Sequence, residues 1–208
     1  MRKQSPFEER LNTITHAFGA LFGVLALLLL VSQQTTNVPW HFFAVWVYGL
    51  SMVLLFSASA LYHYVRSEHL KHYFRILDHV SIYILIAGTY TPVTLITLAP
   101  SRGWYLFLIV WSIAAFGTLL KIFFTGRFEV FSLVLYLAMG WLIVFDFTYL
   151  ATHLHANGLF WLFAGGLAYT VGVLFYAIHR IKFNHVIWHL FVLAGAICHF
   201  IMVYKYVI

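Results

Sequence analysis

Long apolar segments alternate with short polar ones along the whole chain. The apolar segments cover residues 15–32, 41–65, 78–98, 104–124, 128–150, 158–178 and 186–207. Each is close in length to the roughly 20 residues that a helix needs to cross a membrane. Because the segments are apolar on every side and lack the two-residue alternation of barrel strands, they are typical of lipid-embedded helices. The pattern predicts an all-α membrane protein built as a bundle of seven transmembrane helices.

Composition supports this fold class and excludes others. Of the 208 residues, 63% are hydrophobic and only 9% are charged, whereas a soluble domain has roughly 25% charged and about 45–50% apolar residues. Six acidic and twelve basic side chains are too few to cover a soluble globule, and we expect no nucleic-acid partner. The segments divide the chain into a short cytoplasmic N-terminal segment, residues 1–14, and a single transmembrane domain, residues 15–208.

The basic residues predict the orientation in the membrane. With the N-terminus in the cytoplasm, most of them fall on the cytoplasmic side, namely Arg2, Lys3, Arg10, Arg66, Lys71, Arg75, Lys121, Arg127, Arg180 and Lys182. Only Arg102 and Lys205 fall on the other side. Because the cytoplasmic loops of membrane proteins carry an excess of Lys and Arg, we expect a cytoplasmic N-terminus and an extracytoplasmic C-terminus.

Ionisable residues at one end of three predicted spans form the strongest chemical signal. His63 lies near the end of the second span, Asp78 begins the third, and His185 and His189 lie at the start of the seventh. Since successive spans run in opposite directions, all four residues lie at the cytoplasmic end. Ionisable side chains inside spans are costly and are functional candidates by default, so their common depth favours a single site.

The histidine spacing favours a metal ion at this site. His185 and His189 are four residues apart, and such residues lie on one face of a helix. Together with His63 they form a three-histidine set with an open fourth position, the pattern of a catalytic zinc site. Imidazole also binds iron, copper and nickel, and each histidine could instead bond to a backbone carbonyl. Haem is a further alternative, although it takes one histidine from each of two helices.

Two further polar residues are candidates for catalysis. Asp78 is placed to hold a metal-bound water and to act as its general base, while the alternative is an ion pair with Arg75. Ser59 lies four residues before His63 on the same helix face, where its hydroxyl can orient a substrate carbonyl. The alternative for Ser59 is a hydrogen bond to the backbone carbonyl four residues earlier.

Other residues in the spans have structural interpretations. We expect a supporting role for His16 near the predicted site. His199 lies about 15 Å deeper than His189 along its helix and is expected to bond across helices. Asp146 is interpreted as a solvated residue at the membrane interface. Gly19 and Gly23 are spaced as the small residues that let transmembrane helices approach closely.

Five motifs resemble those of the haemolysin III family of bacterial membrane proteins. They are E-E-R-L-N-T-I-T-H at the first span, S-A-L-Y-H at the second, R-I-L-D-H and G-T-Y-T-P at the third, and H-V-I-W-H at the seventh. That family is similar to the progestin and adipoQ receptors and, more distantly, to the alkaline ceramidases. The resemblance covers essentially the whole chain and implies seven spans with the N-terminus inside.

The resemblance also implies a chemistry. It implies a zinc ion, Zn²⁺, bound by His63, His185 and His189. Asp78 stands at the family position that contacts the zinc-bound water, and Ser59 stands at the serine position. In related eukaryotic members this site is associated with hydrolysis of ceramide or similar lipid amides.

These observations lead to one function hypothesis and two alternatives. We expect a protein of the bacterial inner membrane that uses zinc to hydrolyse a membrane lipid amide or ester. The first alternative is a lipid-sensing or membrane-homeostasis protein whose zinc is structural. The second is a hemolysin-type pore, which would need a polar stripe that spans four to six lack. A membrane lipid is expected as substrate or ligand, and no protein hormone is expected.

Overall fold

The computed structural model describes residues 4–33, 38–178 and 180–208, and these form helices joined by short turns. The helices are α1 (Pro6–Ser32), α2 (His41–Tyr64), α3 (Glu68–Pro92), α4 (Gly103–Phe124), α5 (Glu129–Gly140), α6 (Phe147–His153), α7 (Ala156–Ala177) and α8 (Asn184–Tyr206). Within these described ranges, seven helical segments are long and apolar enough to cross a membrane, as the sequence predicted. Arg2 and Lys3, which contributed to the predicted orientation, lie outside the described residues.

Two helices begin well before the predicted spans. α1 begins at Pro6 because Ser5 caps it: the Ser5 hydroxyl accepts from the Glu8 amide, and the Glu8 carboxylate accepts from the Ser5 amide. This reciprocal capping box satisfies two backbone donors at a helix start. α3 begins at Glu68, in the polar segment between the second and third predicted spans. The extra turns carry polar residues at the N-terminal ends of both helices, next to His63.

The fifth predicted span, 128–150, is not one continuous helix. α5 ends at Gly140, a 3-10 turn covers Leu142–Asp146, and α6 follows. The hydroxyl of Tyr90 on α3 donates to the Gly140 carbonyl at 2.9 Å and accepts from the Ile143 amide at 2.9 Å. One side chain therefore satisfies two backbone groups at the break, which is what allows irregular backbone inside a membrane protein.

The helices are arranged as a ring around an internal cavity. α1 packs between α2 and α8, α2 packs against α3, α3 against α4, and α7 against α8. α5 contacts α3, α4 and α7 and so closes the ring. Because α1 touches both α2 and α8, it bridges the two helices that carry the three candidate metal-binding histidines.

Glycine residues bring α1 and α2 into close contact, as the small-residue spacing predicted. A Cβ atom added at Gly19 would lie 2.3 Å from the ring of Phe56, and one added at Gly23 would lie 3.1 Å from the backbone nitrogen of Val53. The Phe56 ring can rotate away, but the backbone of α2 cannot move without separating the helices. Gly23 therefore limits the size of the side chain at the α1–α2 contact more strictly than Gly19 does.

Asp146 differs from its prediction as a solvated interfacial residue. Its side chain is buried, and its carboxylate accepts from the Ser101 hydroxyl at 3.0 Å and from the Arg102 amide at 2.9 Å. The prediction was wrong because the turn before α4 folds over the break in the fifth span. The hydrogen-bond donors therefore come from residues distant in sequence, and a local sequence pattern does not show them.

We expect Gly23→Val to destabilise the protein because the added methyl groups collide with the backbone of α2. Overpacking a tight contact typically costs about 1–3 kcal/mol, so the melting temperature of the protein in detergent should fall. Gly140→Val is the matched control, since a Cβ at Gly140 meets nothing within 4 Å. Equal melting temperatures for the two variants would contradict a close α1–α2 contact at Gly23.

Candidate metal centre

Three histidines from two helices converge at the end of the bundle that carries the start of α1. One ring nitrogen each of His63, His185 and His189 lies within 4.8 Å of the other two. The ring centroids are 5.1 Å apart for His63 and His185, 5.0 Å for His63 and His189, and 4.6 Å for His185 and His189. His63 and His189 are buried and His185 is partly buried. The three rings therefore surround one point.

Helix geometry explains why these residues meet. His63 lies in the last turn of α2 and His185 in the first turn of α8, so both occupy the same end of the ring of helices. His189 follows His185 by one helical turn and lies on the same face. The i, i+4 pair and the third histidine are thus placed as the sequence pattern predicted.

A carboxylate that the sequence analysis did not select contacts this cluster. Glu9 on α1 places Oε2 2.6 Å from Nδ1 of His63, and its Oε1 accepts from Nζ of Lys71 at 2.8 Å. The Glu9 side chain is 27% exposed and that of His63 is 1% exposed. Because the carboxylate can only accept, the proton of this bond is on Nδ1 of His63. In the neutral imidazole, Nε2 is then an acceptor.

The next turns of α1 contact His189. The ring of His16 stacks on that of His189, with centroids 3.5 Å apart and planes 11° apart. Oγ1 of Thr15 lies 3.4 Å from Nδ1 of His189 and donates its own proton to the Asn12 carbonyl at 3.0 Å. Since the hydroxyl proton is already donated, Thr15 accepts from Nδ1–H of His189. His16 thus lies beside the predicted site, and its supporting role stays a prediction.

An apolar cavity of about 130 Å³ begins at the histidine cluster and extends along the inside of the bundle. His185, His189, Asp78 and Ser59 line it together, so the two predicted catalytic residues share a space with the histidine pair. Ser59 is 1% exposed to solvent. The rest of the lining is mainly aliphatic and aromatic, including Leu55, Ile82, Ile86, Leu137, Val173 and Val192.

The far part of this cavity is lined by His199. The Nε2 atom of His199 lies 3.2 Å from the carbonyl oxygen of Leu162 on α7, which confirms the predicted cross-helix bond. A Cβ atom at Gly165 would lie 2.3 Å from the His199 ring, so the absence of a side chain there leaves room for the imidazole. His199 is a helix-pairing residue and lies apart from the three-histidine cluster.

A second group of charges lies beside Asp78, centred on Glu129 at the start of α5. Its Oε2 accepts from Nζ of Lys121 at 3.1 Å, and its Oε1 lies 3.7 Å from the guanidinium of Arg75. Lys121, in the last turn of α4, is fully buried. The Asp78 carboxylate faces the imidazole of His79 at 3.8 Å. Arg75 therefore contacts Glu129, whereas the alternative considered from the sequence paired it with Asp78.

Sequence reasoning missed Glu9 and Thr15, although α1 carried a usable signal. Glu9, Asn12 and His16 are separated by three and four residues, so they lie on one helix face. Placed just before an apolar run, they predict a polar face of α1 directed at the protein interior. The predicted span began only at residue 15, which separated Glu9 from the helix to which it belongs.

Comparison with known proteins assigns the chain to a family. The family model described as "Haemolysin-III related" matches residues 4–200. The chain belongs to the haemolysin III family. Hemolysin-3 of Bacillus cereus is 43% identical to it over 202 residues, which cover 97% of this chain and 92% of that protein. The Hemolysin-3 homolog of Bacillus subtilis is 41% identical over 200 residues, which cover 96% of this chain and 94% of that protein.

A mammalian protein is also similar to this haemolysin III family member. The human monocyte to macrophage differentiation factor is 32% identical over 215 aligned positions, which cover 98% of this chain and 86% of that protein. The range matched by the family model, residues 4–200, includes α1 from its start and all three histidines. The family membership and the seven apolar helices together identify a multi-pass membrane protein.

Proposed function

We propose that this haemolysin III family protein binds one zinc ion through His63, His185 and His189 and hydrolyses an amide or ester bond of a membrane lipid. The observation that carries the proposal is the convergence of three imidazoles, two of which line an apolar cavity that also holds Asp78 and Ser59. A hydrolytic site for a lipid needs these two parts, a polar reaction centre and an adjoining apolar space.

The residues at the cluster fit zinc. Zinc favours tetrahedral sites with nitrogen and sulfur ligands, and three histidines leave a fourth position open. Nε2 of His63 is buried and has no hydrogen-bond partner among the described residues. Because an unpaired buried acceptor is costly, a cation at the centre of the cluster would remove that cost. Neutral imidazole is also a ligand for other first-row metals, so the metal identity is part of the test.

When bound by three histidines, zinc acts as a Lewis acid and lowers the pKa of a bound water to about 7. The other parts of the reaction belong to side chains of this chain. The Asp78 carboxylate accepts a proton from the attacking water and returns it to the leaving group. The Ser59 hydroxyl donates to the carbonyl oxygen of the substrate and holds it at the cavity mouth.

The cavity supports a lipid as the substrate. Its lining is largely aliphatic and aromatic, which suits an acyl chain more than a polar metabolite. The lipid would enter laterally between helices, with its scissile bond at the histidines and its chain along the bundle axis. By the excess of basic residues at this end, we propose that the site faces the cytoplasm and that the protein lies in a bacterial inner membrane.

A second candidate function is a structural zinc site in a lipid-sensing protein. The observation that favours it is the stacking of His16 on His189, which covers one side of the cluster with protein. In that case zinc would hold α2 and α8 together, and the cavity would bind a lipid without cleaving it. The two functions differ in whether Asp78 is needed for turnover or only for stability.

We expect the purified protein to contain one zinc ion, and His63→Ala, His185→Ala and His189→Ala to contain almost none, because each removes a ligand. Zinc at 100 times its dissociation constant should stabilise the wild type by about 2.7 kcal/mol, seen as a higher melting temperature. His153→Ala, in the distant α6, is the control and should keep its zinc. Elemental analysis and thermal melts of the variants are the measurements, and a zinc-replete His189→Ala protein would contradict the ligand assignment.

We expect Asp78→Asn to lower the hydrolysis of a fluorescent N-acyl sphingosine in detergent micelles by about 100-fold or more, the usual contribution of a general base. Zinc content and melting temperature should remain near wild type, because the amide is close in size to the carboxylate. Glu68→Gln, an exposed residue of α3, is the control. No turnover by the wild type, together with a loss of stability in Asp78→Asn, would favour the structural zinc site.

A further inference from the structure

Glu9 makes the shortest polar contact of the three-histidine cluster among the described residues. We infer that Glu9 is a positioning residue: it fixes the tautomer and the ring orientation of His63 and thereby raises the affinity of the cluster for zinc. The inference rests on the proposed zinc binding and extends it from the ligands to α1, a helix that contributes no ligand.

The contact determines which nitrogen of His63 can bind a metal. Glu9 Oε2 lies 2.6 Å from Nδ1 of His63, and an ionised carboxylate only accepts hydrogen bonds. Nδ1 therefore carries the proton, and in the neutral imidazole that a metal ion binds the lone pair is on Nε2. That nitrogen is buried without a hydrogen-bond partner in the described part of the chain. Histidine ligands in zinc proteins commonly donate their second N–H to a carboxylate, which also raises ligand basicity.

Lys71 holds Glu9 in place from the opposite side. Nζ of Lys71 donates to Oε1 at 2.8 Å, so the two carboxylate oxygens have separate partners, Lys71 on α3 and His63 on α2. The Lys71 ammonium also lies 5.1 Å from the ring centroid of Tyr62, which restrains the lysine itself. The carboxylate of Glu9 is thus held by contacts with two neighbouring helices, and rotation away from His63 would break both.

His189 shows the same arrangement with a weaker partner. Its Nδ1 lies 3.4 Å from Oγ1 of Thr15 on α1, and Thr15 donates its proton elsewhere. Nδ1 of His189 is therefore also on the α1 side. One helix, α1, packs between α2 and α8 and contacts a proposed ligand on each. The Thr15–His189 contact is an observation independent of the Glu9 contact.

Charge makes Glu9 the more important of the two partners. Three neutral imidazoles leave both positive charges of zinc uncompensated. The Glu9 carboxylate supplies a nearby negative charge, because one hydrogen bond joins it to the ring of His63. Because Thr15 is uncharged and its contact is longer, its hydroxyl can orient the ring of His189 but cannot offset charge. A glutamine at position 9 would retain an oxygen acceptor for Nδ1–H and lose the charge.

The test is the zinc dissociation constant of purified full-length protein, measured by competition with a chromophoric chelator. Partners of metal-bound histidines typically contribute 10- to 100-fold to metal affinity. We expect Glu9→Ala to weaken zinc binding by 10- to 100-fold and Glu9→Gln by a smaller factor, since the amide still accepts from His63. Glu68→Gln, an exposed carboxylate on α3, is the matched control and should bind zinc as the wild type does.

Two further measurements separate positioning from a merely structural role. The melting temperature of each metal-free variant reports on the fold, and the absorption spectrum of the cobalt-substituted protein reports on ligand geometry. A positioning role predicts a changed cobalt spectrum in Glu9→Ala and weaker zinc binding in both Glu9 variants, at an unchanged metal-free melting temperature. Variants that bind zinc with wild-type affinity would overturn the inference and leave the three-histidine site intact. A wild type that binds no zinc would instead overturn the proposed function.

Discussion

A polar side chain inside a membrane-embedded bundle needs a polar partner on a neighbouring helix, because hydrocarbon has no hydrogen-bonding groups. This constraint explains the polar end of the molecule. Glu9 joins His63 and Lys71, and Glu129 joins Lys121 to Arg75. Each carboxylate connects groups on two or three helices. The contact that satisfies the Glu9 carboxylate therefore also holds His63 in place within the histidine cluster.

The two halves of the cavity follow from the same constraint. At the histidine end, charged and ionisable groups contact one another, and they come from the adjacent ends of α1, α2, α3, α4, α5 and α8. Farther along the bundle, the polar contacts involve neutral side chains: Tyr90 satisfies the break in the fifth span, and His199 contacts a carbonyl oxygen of α7. Between them the cavity lining is apolar. A histidine cluster at one end and an apolar space along the bundle are the arrangement on which the proposed lipid hydrolysis depends.

Much of the fold and of the candidate site could be predicted from sequence. Seven apolar segments predicted the seven spans, and the i, i+4 spacing of His185 and His189 predicted a shared face. Predictions failed where long-range partners decide the outcome. Asp146 is buried because Ser101 and Arg102 fold over it, and the fifth span can break because Tyr90 on α3 accepts and donates across the gap. Hydropathy also placed the start of α1 too late, since capping by Ser5 and Glu8 extends the helix into polar sequence.

Local pattern, by itself, determined which segments lie in lipid and which histidines can share a helix face, because both depend only on composition and on a period of 3.6 residues. The tertiary structure alone decided that α1 lies between α2 and α8 and that Glu9 contacts His63. It also decided that Asp78 and Ser59 line the same cavity as the histidine pair. These relations depend on how helices far apart in sequence pack in a ring. Helix packing is set by many contacts together, such as that of Gly23 with the backbone of α2.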